Sequence, residues 1–488
     1  MSVIAPNDVE IRLTRDLLRT LSSTRQFYTL YPAGHPRRTE AARDLREAVH
    51  DLREAHGGPT VLFISERNFY LGPMLLAWES LTHHRLAASL EEAGVQSLEF
   101  LDGVDEVEAD ALMRLVAGDL TARDELRAIS INRAGPNAPA TVRGGFNELL
   151  QNYASGLELL RQTAARLLAG RPADLDATVR LTEHLADLIA DDPAQALLLT
   201  TVKSYDEYTY HHMVNVCILT LALARAIGLP RERTIALGIG GLLHDVGKVK
   251  VPQEVLQHDG ALDEEQWRQI RRHPIDGAGL ILVTTRDPLH PAVSVVLEHH
   301  AAYDGSGYPS LSGHRSPSLP ARLVAVADSF DALTSKRSYR KPEERRQALS
   351  LLQAGAGRSY DPRVVRTFVR LLGVFPVGSL VQVSSGEIGV VIRNDERLLA
   401  RPTVRLVLDR HGTAADPLEI DLAERDAQGE FIRSVQRSID PVEVGVEMLS
   451  LLASGRLDVP PPDDIGPGLV HEPAPGEQVP HGFVPDHD

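Results

Sequence analysis

The chain has 488 residues, with 51 Lys plus Arg against 67 Asp plus Glu and a formal net charge of −16. That length exceeds what one hydrophobic core supports, so several domains are expected, and the acidic balance argues against bulk nucleic-acid binding or adhesion to an anionic membrane. A lone cysteine, Cys217, excludes an internal disulfide framework and a cysteine-based zinc site. The first residues lack the basic and apolar regions of a secretion signal, and the longest uncharged apolar stretch, around 213–224, falls short of the roughly 20 residues that span a bilayer, so a soluble cytoplasmic protein is expected.

Leucines at helical spacing predict helices over 8–24 and 40–55, the second ended by Gly57-Gly58. Strand-like runs at Thr60–Ser65 and Phe69–Leu71 follow. A helix near His84–Ala93, a strand at Ser97–Leu101, a helix over Val104–Ala117 and a strand near Leu126–Asn132 complete a small α+β domain over 1–143. His35, His83 and His84 have no carboxylate or histidine at ligand spacing and read as surface or capping residues. With no catalytic constellation, this domain is expected to be sensory, regulatory or dimerising, and to meet signalling protein partners or a second copy. Two helices over 146–170 and 174–199, parted by Gly170-Arg-Pro172, make a connector over 144–200 or the opening of the next domain.

From Tyr205 to about Leu372 the pattern is nearly all helical: 208–227, 231–248, 263–272, 275–284, 288–300, 319–336 and 342–353. It predicts an all-α bundle over 201–372. Inside it, Gly241-Leu-Leu-His-Asp-Val-Gly-Lys248 sets an imidazole beside a carboxylate. On a helix His244 and Lys248 share a face at i, i+4, with Asp245 about 100° round. An isolated His-Asp pair on a buried helix is more often a hydrogen-bonded core pair. This pair is not isolated: His212 lies upstream, and His273, His299, His300 and Asp328 lie downstream, all at the ends of apolar segments. Imidazole with carboxylate suits Fe, Mn or Zn, and the Lys248 ammonium suits an anionic substrate such as phosphate.

Asp304-Gly-Ser-Gly-Tyr-Pro309 interrupts the bundle with a turn directly after the paired histidines. After Pro376 the period changes to two at Leu380–Val383, Ile388–Ile392, Val404–Leu408 and Leu418–Leu422, with Gly386 and Gly389 at turns or bulges. This predicts a small β-rich, barrel-like module over 376–450. The Pro- and Asp-rich tail over 455–488 is expected to be disordered.

Six stretches in order resemble the HD-GYP family, a subgroup of the HD metal-dependent phosphohydrolases: Asp206-Glu-Tyr-Thr-Tyr-His-His212, Leu243-His-Asp-Val-Gly-Lys248, Ile270-Arg-Arg-His-Pro274, Glu298-His-His300, Asp304-Gly-Ser-Gly-Tyr-Pro309, and Arg322-Leu-Val-Ala-Val-Ala-Asp328 with Phe330-Asp-Ala-Leu-Thr334 and Arg337-Ser-Tyr-Arg340. The resemblance covers roughly Tyr205–Leu352. It implies an all-helical fold with two or three divalent metals, iron or manganese, hydrolysing the bacterial second messenger cyclic di-GMP to pGpG or GMP. By that resemblance His212, His244, Asp245, His273, His299, His300 and Asp328 are metal ligands, Asp245 bridging, and Lys248 contacts the scissile phosphate. Gly307, Tyr308 and Pro309 form the signature loop near the substrate, and Arg337 and Arg340 are candidates for phosphate contact. Some members use a further upstream Glu for a third metal; Glu207 stands five residues before His212, and its plainer reading is a first-turn carboxylate favoured by the helix dipole. The chain departs from the family at Met213, where Ser is usual, and at Ala301-Ala302, where Glu-Arg is common.

The chemistry matches the residues. A phosphodiester anion repels a nucleophile and has a poor leaving group, so hydrolysis needs cations at both the attacking and the departing oxygen, and a pair of metals supplies them. Arg337 and Arg340, three apart, could fork a phosphate or form a solvated basic patch. Tyr308 could stack on a base or simply pack its loop. Competing readings are a catalytically silent cyclic-dinucleotide receptor or scaffold, and a hydrolase of another cyclic nucleotide.

Overall fold

In a computed structural model, the described residues are 8–444 except 72–73, 134–143, 202–207, 257, 259, 261, 288–289, 336–342, 396, 414, 416–417 and 440. The tail expected to be disordered, 455–488, therefore lies outside them, as do Glu207, Arg337 and Arg340. The chain divides into two compact units, with the boundary between Ala154 and Ser155. No helix among the described residues is long and apolar enough to cross a membrane.

The first unit combines helices α1 (Asp8–Leu30), α2 (Pro36–His56), α3 (Ala77–Thr82), α4 (His84–Glu92) and α5 (Glu106–Val116) with strands β1 (Thr60–Ser65), β2 (Asn68–Leu71), β3 (Met74–Leu75), β4 (Ser97–Phe100) and β5 (Ile129–Ile131). The strands pair antiparallel in the order β3-β2-β1-β4-β5. In β1 burial alternates residue by residue, so Leu62 and Ile64 join Leu17, Leu45, Leu52, Phe69 and Phe100 in the core. Gly57 ends α2 at φ 74°, its N–H donating to the carbonyls of Arg53 and Glu54. His35 caps the start of α2, and the His83 ring meets the Ser22 hydroxyl at 2.8 Å. Sequence periodicity missed β3 and α3, which are too short to show a period.

Helix α6 (Gly144–Leu168) contains the boundary, and in the second unit α7 (Leu175–Asp191) and α8 (Pro193–Leu199) lead to α9 (Tyr208–Ala226) and α10 (Arg231–Leu243). The helix expected over 174–199 is split at Pro193, which has no N–H to continue the ladder. Then come α11 (Gln253–Leu256), α12 (Glu264–Ile270), α13 (His273–Thr285), α14 (Pro291–Glu298), α15 (Leu319–Thr334), α16 (Arg345–Ala354) and α17 (Pro362–Leu372). α9 packs on α10 and α15, α10 on α14, α14 on α13, and α7 on both α9 and α10. Close approach of α10 to α14 depends on Gly240, where an added Cβ would sit 2.9 Å from the Val295 side chain.

One expectation needs correction. The helix predicted over 231–248 stops at Leu243; Asp245 has φ −95° and ψ 6°, and Val246–Lys250 form a tighter 3-10 turn. The i, i+4 relation of His244 to Lys248 is therefore absent. The physical reason is Gly247, which lies so close to α13 that an added Cβ would be 2.0 Å from the His273 carbonyl oxygen. Tertiary contact outweighs local helix preference here.

The same unit ends in strands β6 (Leu380–Val383), β7 (Ile388–Arg393), β8 (Thr403–Leu408), β9 (Glu419–Asp421) and β10 (Val435–Ile439), in antiparallel order β10-β6-β7-β8-β9. Val381, Val383, Val391, Val404, Leu406, Ile420 and Leu422 form its core. Gly386 turns the chain at φ 101°, and the register shifts beside Gly389, as expected for a bulge. Among the described residues β9 and β10 remain the edges of this sheet, so the pairings are those of an open sheet rather than a closed barrel. The mixed, polar sequence of β10 hid it from the period-two reading.

Candidate metal centre

Five helices deliver the candidate ligands. α9 carries His212; the end of α10 presents His244 and Asp245; α13 begins with His273; α14 ends at His299 and His300; α15 carries Asp328. The ligand atoms fall into two groups, each within 4.8 Å of one another: Asp245, His273, His299 and His300, and then His212, His244 and Asp328. Asp245 links the groups, its Oδ2 lying 3.4 Å from His244 Nε2 and its Oδ1 3.2 Å from His273 Nε2. The seven candidates among the described residues thus converge on one place, six of them buried and His300 half-buried, although they span residues 212 to 328.

Hydrogen bonds on the outer sides of the rings determine which nitrogen faces inward. Nδ1 of His244, His273 and His299 donates to the carbonyls of Gly241, Ile270 and Val296, at 2.8, 2.7 and 2.9 Å. Each acceptor lies three residues back along the chain. A carbonyl only accepts, so these Nδ1 atoms carry protons and the neutral rings turn Nε2 lone pairs into the centre.

That arrangement tests whether a cation fits. His273 Nε2 and His299 Nε2 face each other at 3.2 Å, and both are acceptors in this tautomer. His244 Nε2 and Asp245 Oδ1 are buried with no hydrogen-bond partner among the described residues. Buried acceptors gathered against one another, without donors, are unfavourable unless a cation joins them. Imidazole and carboxylate without thiolate are a donor set for divalent Fe, Mn or Zn, so the residues fit such ions.

Electrostatics follow from this burial. Burial opposes charge on His212, but hydrogen bonds from its ring to the Asp328 and Asp331 carboxylates outweigh it and raise its pKa to about 9. Burial pushes the His300 imidazole down to about 3, and His299 also falls well below the usual range through burial and its histidine neighbours. Burial works against the Asp245 carboxylate, yet Lys248 and His244 hold it ionised well below the ordinary range.

Three supporting residues were not assigned roles from the sequence. Asp331 accepts from His212 Nδ1 at 2.8 Å and from the Asn215 amide at 3.1 Å, and so orients the His212 ring. Its position three after Asp328 on α15 was the available signal. Buried Glu298 pairs with Arg315 and accepts from the Ser318 N–H at 2.7 Å, tying the end of α14 to the start of α15. Gly247 permits the 3-10 turn to reach His273.

Lys248 Nζ lies 2.6 Å from Asp245 Oδ2, with its side chain 28% exposed at the rim of the centre. The signature loop stands beside the ligands. Gly307 has φ 84°, and a Cβ there would be 2.4 Å from the His300 carbonyl oxygen. The Tyr308 N–H donates to that oxygen at 3.1 Å, and the Tyr308 ring centroid is 4.7 Å from that of His300. Pro309 follows through a cis peptide. Glu207, Arg337 and Arg340, outside the described residues, receive no placement.

Residues 183–364 match the sequence model of the HD domain, and residues 380–437 that of a KOW domain associated with the HD domain. The chain is 36% identical over 292 residues to the cyclic di-GMP phosphodiesterase PA4108 of Pseudomonas aeruginosa, an alignment covering 58% of this chain and 69% of that protein. It is 40% identical over 149 residues to the cyclic di-GMP phosphodiesterase response regulator RpfG of Xanthomonas campestris, covering 30% of this chain and 39% of the relative. To the 3′3′-cGAMP-specific phosphodiesterase 2 of Vibrio cholerae it is 34% identical over 169 residues, covering 34% of this chain and 32% of the relative. The last two alignments span well under half of those relatives. With its histidines and aspartates gathered at one centre and the Gly-Tyr-Pro loop set against them, the chain belongs to the HD-GYP family of HD-domain phosphohydrolases.

Proposed function

We propose that this chain is a metal-dependent phosphodiesterase that hydrolyses cyclic di-GMP to pGpG or GMP. The observation that carries the reading is the pair of linked ligand groups, with Nε2 lone pairs and a shared carboxylate aimed at common points. When bound, two divalent ions, for which iron or manganese is our assignment, supply Lewis acidity and lower the pKa of water. His212, His244 and Asp328 would hold one ion and His273, His299 and His300 the other, with Asp245 shared. Glu207 remains our candidate for a third.

The protein's own groups perform the rest. Asp331 and the three backbone carbonyls orient four of the five rings, those of His212, His244, His273 and His299, with Nε2 toward the centre. Lys248, now paired with Asp245, is the ammonium placed to meet a non-bridging oxygen of the scissile diester once the carboxylate is committed elsewhere. Burial of the ligands keeps bulk water from competing with these contacts. Gly307, Tyr308 and Pro309 form the wall that the substrate meets, and Arg337 and Arg340 are proposed phosphate contacts. The 201–372 region carries the chemistry; the α+β region over 1–143 we assign to regulation through protein partners or self-association, with 144–200 linking them and the 376–450 module as an accessory.

The likeness to a 3′3′-cGAMP-specific enzyme supports a second substrate reading within the same chemistry. The test combines metal analysis of the purified protein with hydrolysis of cyclic di-GMP, 3′3′-cGAMP and cyclic di-AMP in parallel. Cyclic di-GMP turnover with the highest kcat/KM upholds the first reading. Preference for cGAMP selects the second, and binding without turnover in the metal-loaded protein would mean a receptor.

A further inference from the structure

Beside the signature loop lies a groove of about 610 Å³, lined by Glu264, Trp267, Arg268, Arg271, Arg272, Ile275 and Pro309. Its size is that of a small-ligand site. Trp267 is 42% exposed and Ile275 52% exposed, so the groove offers solvent an indole and an aliphatic side chain.

The charges around that display are not equivalent. Arg268 is paired with Glu265 at 2.6 Å, and Arg272 approaches Asp276 at 3.6 Å. Arg271 and Glu264 make no ion pair among the described residues. Arg271 is held instead by two aromatic rings, its guanidinium carbon lying 5.3 Å from the Trp267 centroid and 5.8 Å from the Tyr308 centroid. Because Tyr308 stacks near His300 at 4.7 Å, the groove is continuous, ring by ring, with the metal ligands.

Spacing along α12 places these groups on one face. Glu264, Trp267 and Arg271 fall at i, i+3 and i+7, so the carboxylate and the guanidinium flank the indole and their Cα atoms are roughly 10 Å apart along the axis. A purine stacked on the indole lies between them. Guanine presents O6 and N7 as acceptors, which a guanidinium meets bidentately, and N1–H with the N2 amino group as donors, which a carboxylate accepts. Adenine keeps N7 but has an amino group where guanine has O6 and neither N1–H nor an N2 amino group, so it meets the guanidinium with one acceptor instead of two and lacks the paired donors for the carboxylate.

Resting on the proposed cyclic dinucleotide activity, we infer that this groove is a guanine subsite: Trp267 stacks a base of the substrate while Arg271 and Glu264 select guanine over adenine. A cyclic dinucleotide presents one phosphate to the centre at a time, and the groove receives a base carried by the rest of the ring.

The test uses the full-length, metal-loaded protein and the variants Trp267→Ala, Trp267→Phe and Glu264→Gln. For Trp267→Ala, the ratio of kcat/KM on cyclic di-GMP to that on bis(p-nitrophenyl) phosphate, a diester without a base, is expected to fall about tenfold or more, the scale of one lost base stack, with partial recovery in Trp267→Phe. Glu264→Gln is expected to narrow the preference for cyclic di-GMP over cyclic di-AMP. A ratio within twofold of the parent in Trp267→Ala overturns the subsite. Binding is read separately in a Trp78→Phe background, where Trp267 is the remaining tryptophan. Quenching by cyclic di-GMP without its hydrolysis defeats the proposed activity but supports the subsite, and hydrolysis without quenching defeats the subsite alone. Absence of both quenching and hydrolysis defeats both.

Discussion

Two polar places in the second unit resolve their removal from water in opposite ways. At the metal centre acceptors meet acceptors, and His244 Nε2 and Asp245 Oδ1 have no hydrogen-bond partner among the described residues. At Arg345, at the start of α16, a half-buried guanidinium is satisfied by the protein itself: it donates to the Val377 carbonyl at 2.7 Å and the Thr200 hydroxyl at 3.0 Å, with the Phe330 ring 5.7 Å away. Burial lowers the Arg345 pKa to about 10, which still leaves it charged at neutral pH. A structural polar group is completed from within, whereas a ligand site is left incomplete toward a guest.

The comparison breaks most sharply at the centre itself. His244→Ala combined with Asp245→Ala is expected to abolish both bound metal and phosphodiester hydrolysis, because it removes a donor from one group and the link between the two; elemental analysis beside a turnover assay measures it. Retained turnover would dismiss this site. Arg345→Met should act on the other side of the comparison, lowering stability by about 3 kcal/mol through acceptors left without a donor, as read by denaturant unfolding.

Asp331→Asn tests the support beneath the centre. Its amide no longer provides a charged acceptor for His212 Nδ1, and metal affinity or activity is expected to drop about 10- to 100-fold while the fold persists by circular dichroism. An affinity equal to the parent's would show that His212 needs no such orientation. The smallest effect is expected at Gly386→Ala in the C-terminal sheet. A side chain at φ 101° costs about 1 kcal/mol of stability, and metal content should match the parent.

Much of the centre was legible before folding because its chemistry is written in residue types that are rarely buried without cause. His212, His244, Asp245, His273, His299, His300 and Asp328 each sit at the end of an apolar run, and their order alone suggested one place. Less legible was how each ring is aimed. Asp331 looked like any polar residue on α15, and the carbonyls of Gly241, Ile270 and Val296 carry no signature in residue type. The groove at Trp267 was equally hidden, since its members become neighbours only when α12 lies beside the loop that carries Tyr308.

Sequence by itself determined the helical centre, the alternating strands after Pro376 and the candidate ligands, because periodicity and side-chain chemistry are local properties. Tertiary structure alone decided where α10 ends and which nitrogen of His212, His244, His273 and His299 points inward. Those choices depend on backbone groups from distant segments coming within hydrogen-bond reach, as Gly247 does against His273, and no pattern along the chain encodes that distance.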